Sequence, residues 1–202
     1  MDKEKRMAGD YEITQAIHIG DREIVMGENL NEEHPYFVAD CISNELFTRY
    51  DNAMVSDNFI EIAEIYNNRV KEQITQVKIE WEQIKVPTDI ITADMCYPLD
   101  YKKDINGKVV AIKAETLCPE YRRADKMLVL VTGGFGASAN SRGNAVFTTN
   151  LYTGEHSRFE RYDIQGEIKN LPDWAKQRLK EIQSEKAVPT KAKKPVNKEM
   201  ER

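Results

Sequence analysis

The sequence predicts an α+β protein: an N-terminal antiparallel meander covered by a long helix, then a second small curled β-sheet or barrel with a C-terminal helix. Three observations predict this class. Short alternating segments occupy residues 11–50, one continuous helical stripe follows over residues 56–84, and short strand-like segments resume after residue 106. The 202 residues are enough for two small domains.

The meander is predicted from segments that alternate and are rich in β-branched or aromatic residues. Its four predicted strands are residues 11–19, 22–26, 36–42 and 46–50. The first two form a hairpin across Gly20 and Asp21, and the last two are joined by a short turn at residues 43–45. One face of such a sheet has to be covered by a second layer.

The covering layer is a helix predicted to begin with Ser56 as its N-cap and to end near Ile84, before Pro87. Apolar side chains recur along it every three or four residues, at Phe59, Ile62, Ala63, Tyr66, Val70, Ile74, Val77, Trp81 and Ile84. A helix of this length is about 40 Å long and overshoots four strands, so its second half is expected to pack on the second domain or on another chain. Packing within one molecule is favoured over a homodimer, because the seven-residue repeat lasts barely two heptads.

The second half of the chain predicts shorter strands and a closing helix. Its predicted strands are residues 108–115, 127–132, 144–149 and 156–162. A short helix or ordered loop is expected from Pro119, and an amphipathic helix from Pro172 to about Ser184. The resulting organisation is a flexible N-terminus at 1–9, an acidic ββββα domain at 10–86, a connector at 87–106, a basic β-rich domain with its helix at 107–185, and a disordered Lys-rich tail at 186–202.

The two halves of the chain carry opposite charge. Residues 1–90 contain 19 acidic and 9 basic residues, whereas residues 91–202 contain 15 acidic and 20 basic residues. Opposite signs predict different partners or faces for the two halves. The mean hydropathy of -0.62 and the lack of a long apolar run predict no membrane partner and a cytoplasmic location.

The sequence has no catalytic or metal-binding signature, so no cofactor and no metal are predicted. Cys41, Cys96 and Cys118 are spaced like neither a disulfide framework nor paired zinc ligands, and reduced structural thiols are expected. A nucleophilic cysteine is a minor alternative, because no local signature places a histidine beside any of them.

The segment of residues 131–144 is rich in glycine and invites a functional interpretation. Its backbone N–H groups can form a nest around a phosphate, with Arg142 as an added donor. The favoured alternative is a tight connection with a bulge, because the segment leads into a strand and not into a helix. The predicted nucleic-acid- or partner-binding residues around it are Arg122, Arg123, Phe135, Arg142, His156, Arg158 and Arg161.

Arginine beside exposed aromatic groups on a curled sheet is a usual way to hold single-stranded or structured nucleic acid. Strand alternation weakens this interpretation, because it sends Arg158 to one face and Phe159 and Arg161 to the other. Surface Arg–Glu pairs over core aromatic residues explain the same pattern equally well. In the acidic half, the carboxylates can compete for a cationic groove or simply keep the protein soluble. They are Glu28, Glu32, Glu33, Asp40, Glu45, Asp51 and Asp57.

Seven stretches carry a resemblance: YEITQAI at 11–17, MGEN at 26–29, ITADMC at 91–96, CPEYR at 118–122, TGGFG at 132–136, NLYTGE at 150–155 and LPDWA at 171–175. The chain resembles, over most of residues 10–183, a family of small uncharacterised proteins carried by conjugative and integrative mobile elements of gut Firmicutes. The resemblance implies a cytosolic accessory protein. Such cargo commonly handles the element's nucleic acid or disables a host defence system, and anti-CRISPR proteins share this size and lack of enzyme motifs.

We therefore expect a non-enzymatic inhibitor that binds a host defence protein or nucleoprotein, with a CRISPR effector as the leading target. The alternative is a nucleic-acid-binding accessory factor for conjugation or element maintenance. An enzyme whose site has no sequence signature is a distant third interpretation.

Overall fold

The computed structural model describes residues 5–43 and 47–187. The chain divides into two compact units, Met1–Val86 with Cys118–Arg122 and Pro87–Leu117 with Arg123–Arg202. The described residues form two antiparallel sheets, a long helix and a C-terminal helix, so the predicted α+β class is confirmed.

The first unit contains a five-stranded sheet whose strands are adjacent in sequence order. They are β1 (Met7–Ala8), β2 (Tyr11–Ile19), β3 (Arg22–Glu28), β4 (Tyr36–Ser43) and β5 (Thr48–Ser56). The expectation of a flexible segment over 1–9 is wrong for β1, because Gly9 adopts a φ of 59° and lets the chain turn tightly into β2. The expected turn at 43–45 lies largely outside the described residues.

Helix α1 (Phe59–Gln83) covers one face of this sheet. Ile62 is fully buried against Ile24, Met26 and Val38. The other face is closed by aromatic side chains that pack over small buried residues, with the rings of Tyr11 and Phe37 stacked at 5.2 Å. The predicted order of a meander followed by a covering helix is therefore correct.

The helix begins after Asn58 and not at Ser56, because the extended backbone of β5 continues through Ser56. The Oδ1 atom of Asn58 accepts the N–H of Ile60 at 3.0 Å, as an N-cap does. Ser56 supports the cap indirectly, since its hydroxyl accepts the N–H of Asn58 at 3.1 Å and donates to Glu61 at 2.5 Å.

The second half of α1 packs within its own unit. Gln73 donates to the Ile19 carbonyl and to the Asp21 carboxylate, each at 3.0 Å, and Val77 is buried. The expectation that this half packs on the second domain or another chain is therefore wrong for Gln73, whose side chain contacts the β2–β3 hairpin instead. Trp81, further along, is 43% exposed.

The second unit contains an open six-stranded antiparallel sheet. Its strands are β6 (Cys96–Pro98), β7 (Val109–Ile112), β8 (Leu128–Gly133), β9 (Ala145–Asn150), β10 (His156–Glu160) and β11 (Ile164–Ile168), in the order β10-β9-β8-β7-β11-β6. The connector expected over 87–106 is corrected, because β6 lies within it and pairs with β11. Since β10 and β6 are the two edges, the curled sheet is correct and the barrel alternative is not.

The central strands of this sheet are buried on both faces. Along β7 and β8 alternate apolar residues enter two different clusters, and one of these clusters includes Ala175 and Ile182 of helix α3 (Asp173–Ala187). A short helix, α2 (Ala124–Met127), precedes β8. Within the described residues, no helix combines the length and the apolar character needed to cross a bilayer. Of the tail predicted at 186–202, residues 188–202 lie outside the described residues.

Replacing Asn58 with Ala should lower the free energy of unfolding by about 1 kcal/mol, because the Ile60 amide loses its acceptor at the start of α1. Asn58→Asp should stay near the wild-type value, since a carboxylate accepts the same bond. Thermal and urea unfolding measure both variants. Equal losses for Ala and Asp would show that Asn58 does not act as the cap.

Candidate functional site

The glycine-rich segment between β8 and β9 is a tight connection. The strand register shifts at the end of β8, which is the expected bulge. A Cβ at Gly134 would lie 2.3 Å from the Ala145 carbonyl oxygen, and one at Gly136 would lie 2.1 Å from the Asn144 carbonyl oxygen. The two backbone segments run in contact, and only glycine leaves room at these two positions.

Several amide groups of this segment donate hydrogen bonds within the protein. They belong to Ala137, Ser138, Asn140 and Gly143. The Asn140 amide, for example, donates to the Tyr101 carbonyl at 2.9 Å. A phosphate nest needs amides directed at the ligand, so the nest interpretation loses these four donors. The exposed side chain of Arg142 is unaffected by this loss.

Arg161 was predicted to lie on the binding surface, but its side chain is only 1% exposed. Its guanidinium donates to four backbone carbonyls, those of Gly136, Ala137, Asp100 and Lys103, at 2.9, 3.3, 3.0 and 3.0 Å. Burial lowers the pKa of Arg161, and the Tyr101 ring lies 5.6 Å from its guanidinium carbon. The prediction is corrected, because β10 ends at Glu160 and the chain turns Arg161 inward.

Two other arginines that were predicted to bind are also partly buried. Arg122 belongs to the first unit and is half-buried. The side chain of Arg123 is 15% exposed, and its Nη2 atom lies 3.2 Å from the carboxylate of the fully buried Asp125. The seven predicted residues therefore do not form one continuous cationic surface.

The remaining predicted residues are exposed, and they lie around the glycine-rich segment and the β9–β10 hairpin. With Phe147 we group these exposed residues of the two neighbouring segments under the name aromatic–basic surface: Phe135, Arg142, Phe147, His156 and Arg158. Phe135 is 82% exposed and Phe147 is 51% exposed. Exposed aromatic rings of this size, next to cations, can provide stacking platforms.

Strand register holds part of the aromatic–basic surface together. Phe147 on β9 is directly opposite Arg158 on β10, and Thr149 is opposite His156, so all four side chains lie on the same side of the hairpin. The imidazole Nδ1 of His156 lies 2.9 Å from the Thr149 hydroxyl. Sequence reasoning missed Phe147, although its alternation with the buried Val146 was the available signal.

Phe135 extends this surface from the glycine-rich segment. It begins the short 3-10 turn Phe135–Ala137, and a Cβ added at Gly143 would lie 2.9 Å from its own Cβ. The side chain thus leaves the backbone beside the residue that follows Arg142. The charge of Arg158 is partly balanced by Glu160 at 2.5 Å, so the aromatic rings contribute as much to this surface as the cations do.

The predicted acidic set also divides between exposed and paired groups. The exposed carboxylates are Glu28, Glu32, Glu33 and Asp57. Asp40 lies 3.5 Å from Arg69 and Asp51 lies 2.7 Å from Arg49, whereas Glu45 falls outside the described residues. Glu32 and Glu33 sit together on the connection between β3 and β4, which is the densest exposed acidic point of the set.

The minor alternative of a nucleophilic cysteine has one geometric element in its favour. The Sγ atom of Cys118 lies 3.5 Å from Nδ1 of His18, both within the first unit. Burial raises the pKa of the Cys118 thiol, and the charge of Glu120 raises it further. A reactive cysteine needs the opposite shift, so this pair does not support nucleophilic catalysis.

Comparison with known proteins adds no relative. The sequence matches no family model, no curated protein and no solved structure. The resemblance to mobile-element proteins therefore stays a prediction, and function has to be inferred from the surfaces described above.

Replacing Arg161 with Lys or Met should lower the free energy of unfolding by about 3 kcal/mol or more, because Met supplies no donor and the single nitrogen of Lys does not reproduce the two-nitrogen fork that serves the buried carbonyls. Arg158→Lys, at an exposed ion pair, is the matched control and should cost less than about 1 kcal/mol. Urea unfolding compares the three variants. Equal stability of the Arg161 and Arg158 variants would contradict the internal role.

Proposed function

We propose that this protein is a non-enzymatic binding protein that holds single-stranded nucleic acid on the aromatic–basic surface of its second unit. The observation that carries the proposal is the 82% exposure of Phe135, whose Cβ lies against Gly143, the residue after the exposed Arg142. The carbonyl of the following residue, Gly136, is held from inside by Arg161. A single exposed apolar residue needs no explanation. Two exposed phenylalanines with neighbouring cations are a more specific arrangement.

The chemistry of this surface suits single strands better than duplexes. Unpaired bases can stack on Phe135 and Phe147 whatever their identity, because every base has a π face. Arg142 and Arg158 can contact phosphates on either side of the stacked bases. The absence of a recognition helix on this hairpin edge, within the described residues, disfavours insertion into a major groove. We therefore expect little sequence preference and a clear dependence on salt.

The biological role that fits this binding is that of a cytoplasmic accessory factor for a mobile element, acting in conjugation or element maintenance. The resemblance described above is the support for this context. A conjugative element also provides a ligand for this surface, because conjugative transfer passes through single-stranded DNA.

Replacing Phe135 with Ala should weaken binding of a labelled mixed-sequence single strand by about 1–3 kcal/mol, or about 5- to 150-fold, because one stacking platform is lost. Leu30→Ala is the matched control, since Leu30 is 73% exposed on the other unit. Arg142→Glu should weaken binding and reduce the salt slope by about 0.7 or more, whereas Lys78→Glu makes the same charge change on α1 and should not.

Fluorescence anisotropy across a salt series measures all of these values, and thermal unfolding shows whether each variant is folded. Failure of the wild-type protein to bind DNA or RNA single strands would end the proposal. Equal losses for Phe135→Ala and Leu30→Ala would remove the aromatic–basic surface from it.

A second candidate function is inhibition of a host defence nucleoprotein, with a CRISPR effector as the leading target. The observation that favours it is the exposed pair Glu32 and Glu33 on the β3–β4 connection, which can compete for a cationic groove. The reversal of both charges to Lys should abolish inhibition of target cleavage by a purified effector, whereas reversal of Glu82 on α1 should not. Inhibition that survives the double reversal would exclude this surface.

A further inference from the structure

Three metal-ligating side chains meet in the first unit. His18 stands near the end of β2, and Cys118 and Glu120 lie on a segment 100 residues further along the chain. One ligand atom from each residue can be chosen so that all three atoms lie within 4.8 Å of one another. The closest pair, Sγ of Cys118 and Nδ1 of His18, is 3.5 Å apart.

The meeting point is fixed by contacts that involve no metal. Gly20, with a φ of 66°, begins the two-residue turn of the hairpin, two positions after His18, and its N–H donates to the Glu120 carboxylate. A Cβ on Gly20 would lie 2.9 Å from Val77 and 3.1 Å from the Tyr121 hydroxyl, so the segment packs closely over the turn. The Glu120 carboxylate is thus oriented by a backbone donor, as the outer partners of metal ligands orient them.

We propose that His18, Cys118 and Glu120 form a binding site for a zinc-class divalent ion. Zinc–sulfur bonds of about 2.3 Å and zinc–nitrogen bonds of about 2.0–2.1 Å, at a tetrahedral angle, place the two ligand atoms about 3.6 Å apart. The separation of 3.5 Å between Cys118 and His18 meets this requirement without any movement of the backbone. The carboxylate of Glu120 offers a second oxygen beside the one bound to Gly20.

The ligand set selects the class of ion. Thiolate and imidazole favour zinc and related transition metals, whereas Mg²⁺ and Ca²⁺ are bound almost entirely through oxygen. Three protein ligands leave a fourth position for water or a small ligand. The bound ion would hold Cys118 and Glu120 to the hairpin turn, and it is independent of the nucleic-acid binding proposed for the second unit.

Cobalt substitution tests the site directly. Metal-free, reduced protein is titrated with Co²⁺, and a thiolate ligand gives a sulfur-to-cobalt charge-transfer band, while a four-coordinate site gives strong visible bands. We expect one equivalent to bind, with displacement by Zn²⁺ and not by Mg²⁺. Cys118→Ser should abolish the charge-transfer band, and His18→Ala and Glu120→Gln should each weaken Zn²⁺ affinity at least tenfold, measured against a chromophoric chelator.

Cys96→Ser and His34→Ala are the matched controls, because Cys96 lies in the second unit and His34 is exposed outside the cluster. Neither control should change the cobalt spectrum or the Zn²⁺ affinity. Zn²⁺ should raise the melting temperature of the wild-type protein and of both controls, but not that of Cys118→Ser. Loss of the band in Cys96→Ser, its absence from the wild-type protein, or equal Zn²⁺ affinity in all variants would overturn the proposal. In that case the Cys118–His18 contact is only a thiol–imidazole hydrogen bond.

Discussion

The second unit is organised by the buried guanidinium of Arg161. Two connecting segments, one before β7 and one after β8, direct backbone carbonyls at this single charge. Removing a guanidinium from water is costly, and here the cost is offset by the four bonds of its two terminal nitrogens, whereas the buried Nε has no hydrogen-bond partner within the described residues. Backbone acceptors cannot be removed by side-chain substitution, so the two segments and the turn that carries Arg161 have to keep their relative positions. The contact of Gly134 and Gly136 with the start of β9 completes the same fit.

The constraint that buries this cation also exposes an aromatic ring. In the turn Phe135–Ala137, successive side chains are separated by about 120°. Ala137 is fully buried in the core, and the Gly136 carbonyl accepts from Arg161, so Phe135 is directed away from both. A rigid backbone below an exposed ring is the arrangement that a stacking platform needs, because little entropy is lost when a base binds. The structural role of the glycine-rich segment and its proposed binding role therefore support each other.

Much of the fold could be predicted from local pattern, since β2, β3, β9 and α1 have strong alternation or helical periodicity. The missed strands had weaker signals. β6 has three residues, and β11 contains Gly166, at which the register shifts. The error at Arg161 has the same origin: alternation was extended through residue 162, but Glu160 and Asp163 form a capping box that ends the strand. The pattern of apolar residues identifies regular strands and helices, but it does not show where a turn redirects a side chain.

Charge and ligand spacing show a second limit of sequence reasoning. The net charge of each half follows directly from the sequence. It does not distinguish an exposed, unpaired cation from one in an ion pair, such as Arg6 with Glu23 or Arg69 with Asp40. The spacing of Cys and His residues along the sequence likewise did not predict the proposed metal site, because His18 and Cys118 are 100 residues apart and meet only in the folded chain. Both limits arise because these contacts are fixed by tertiary packing. For the same reason, the two proposed sites depend on tertiary contacts: the hairpin turn at Gly20 positions Glu120, and the bonds of Arg161 position the glycine-rich segment.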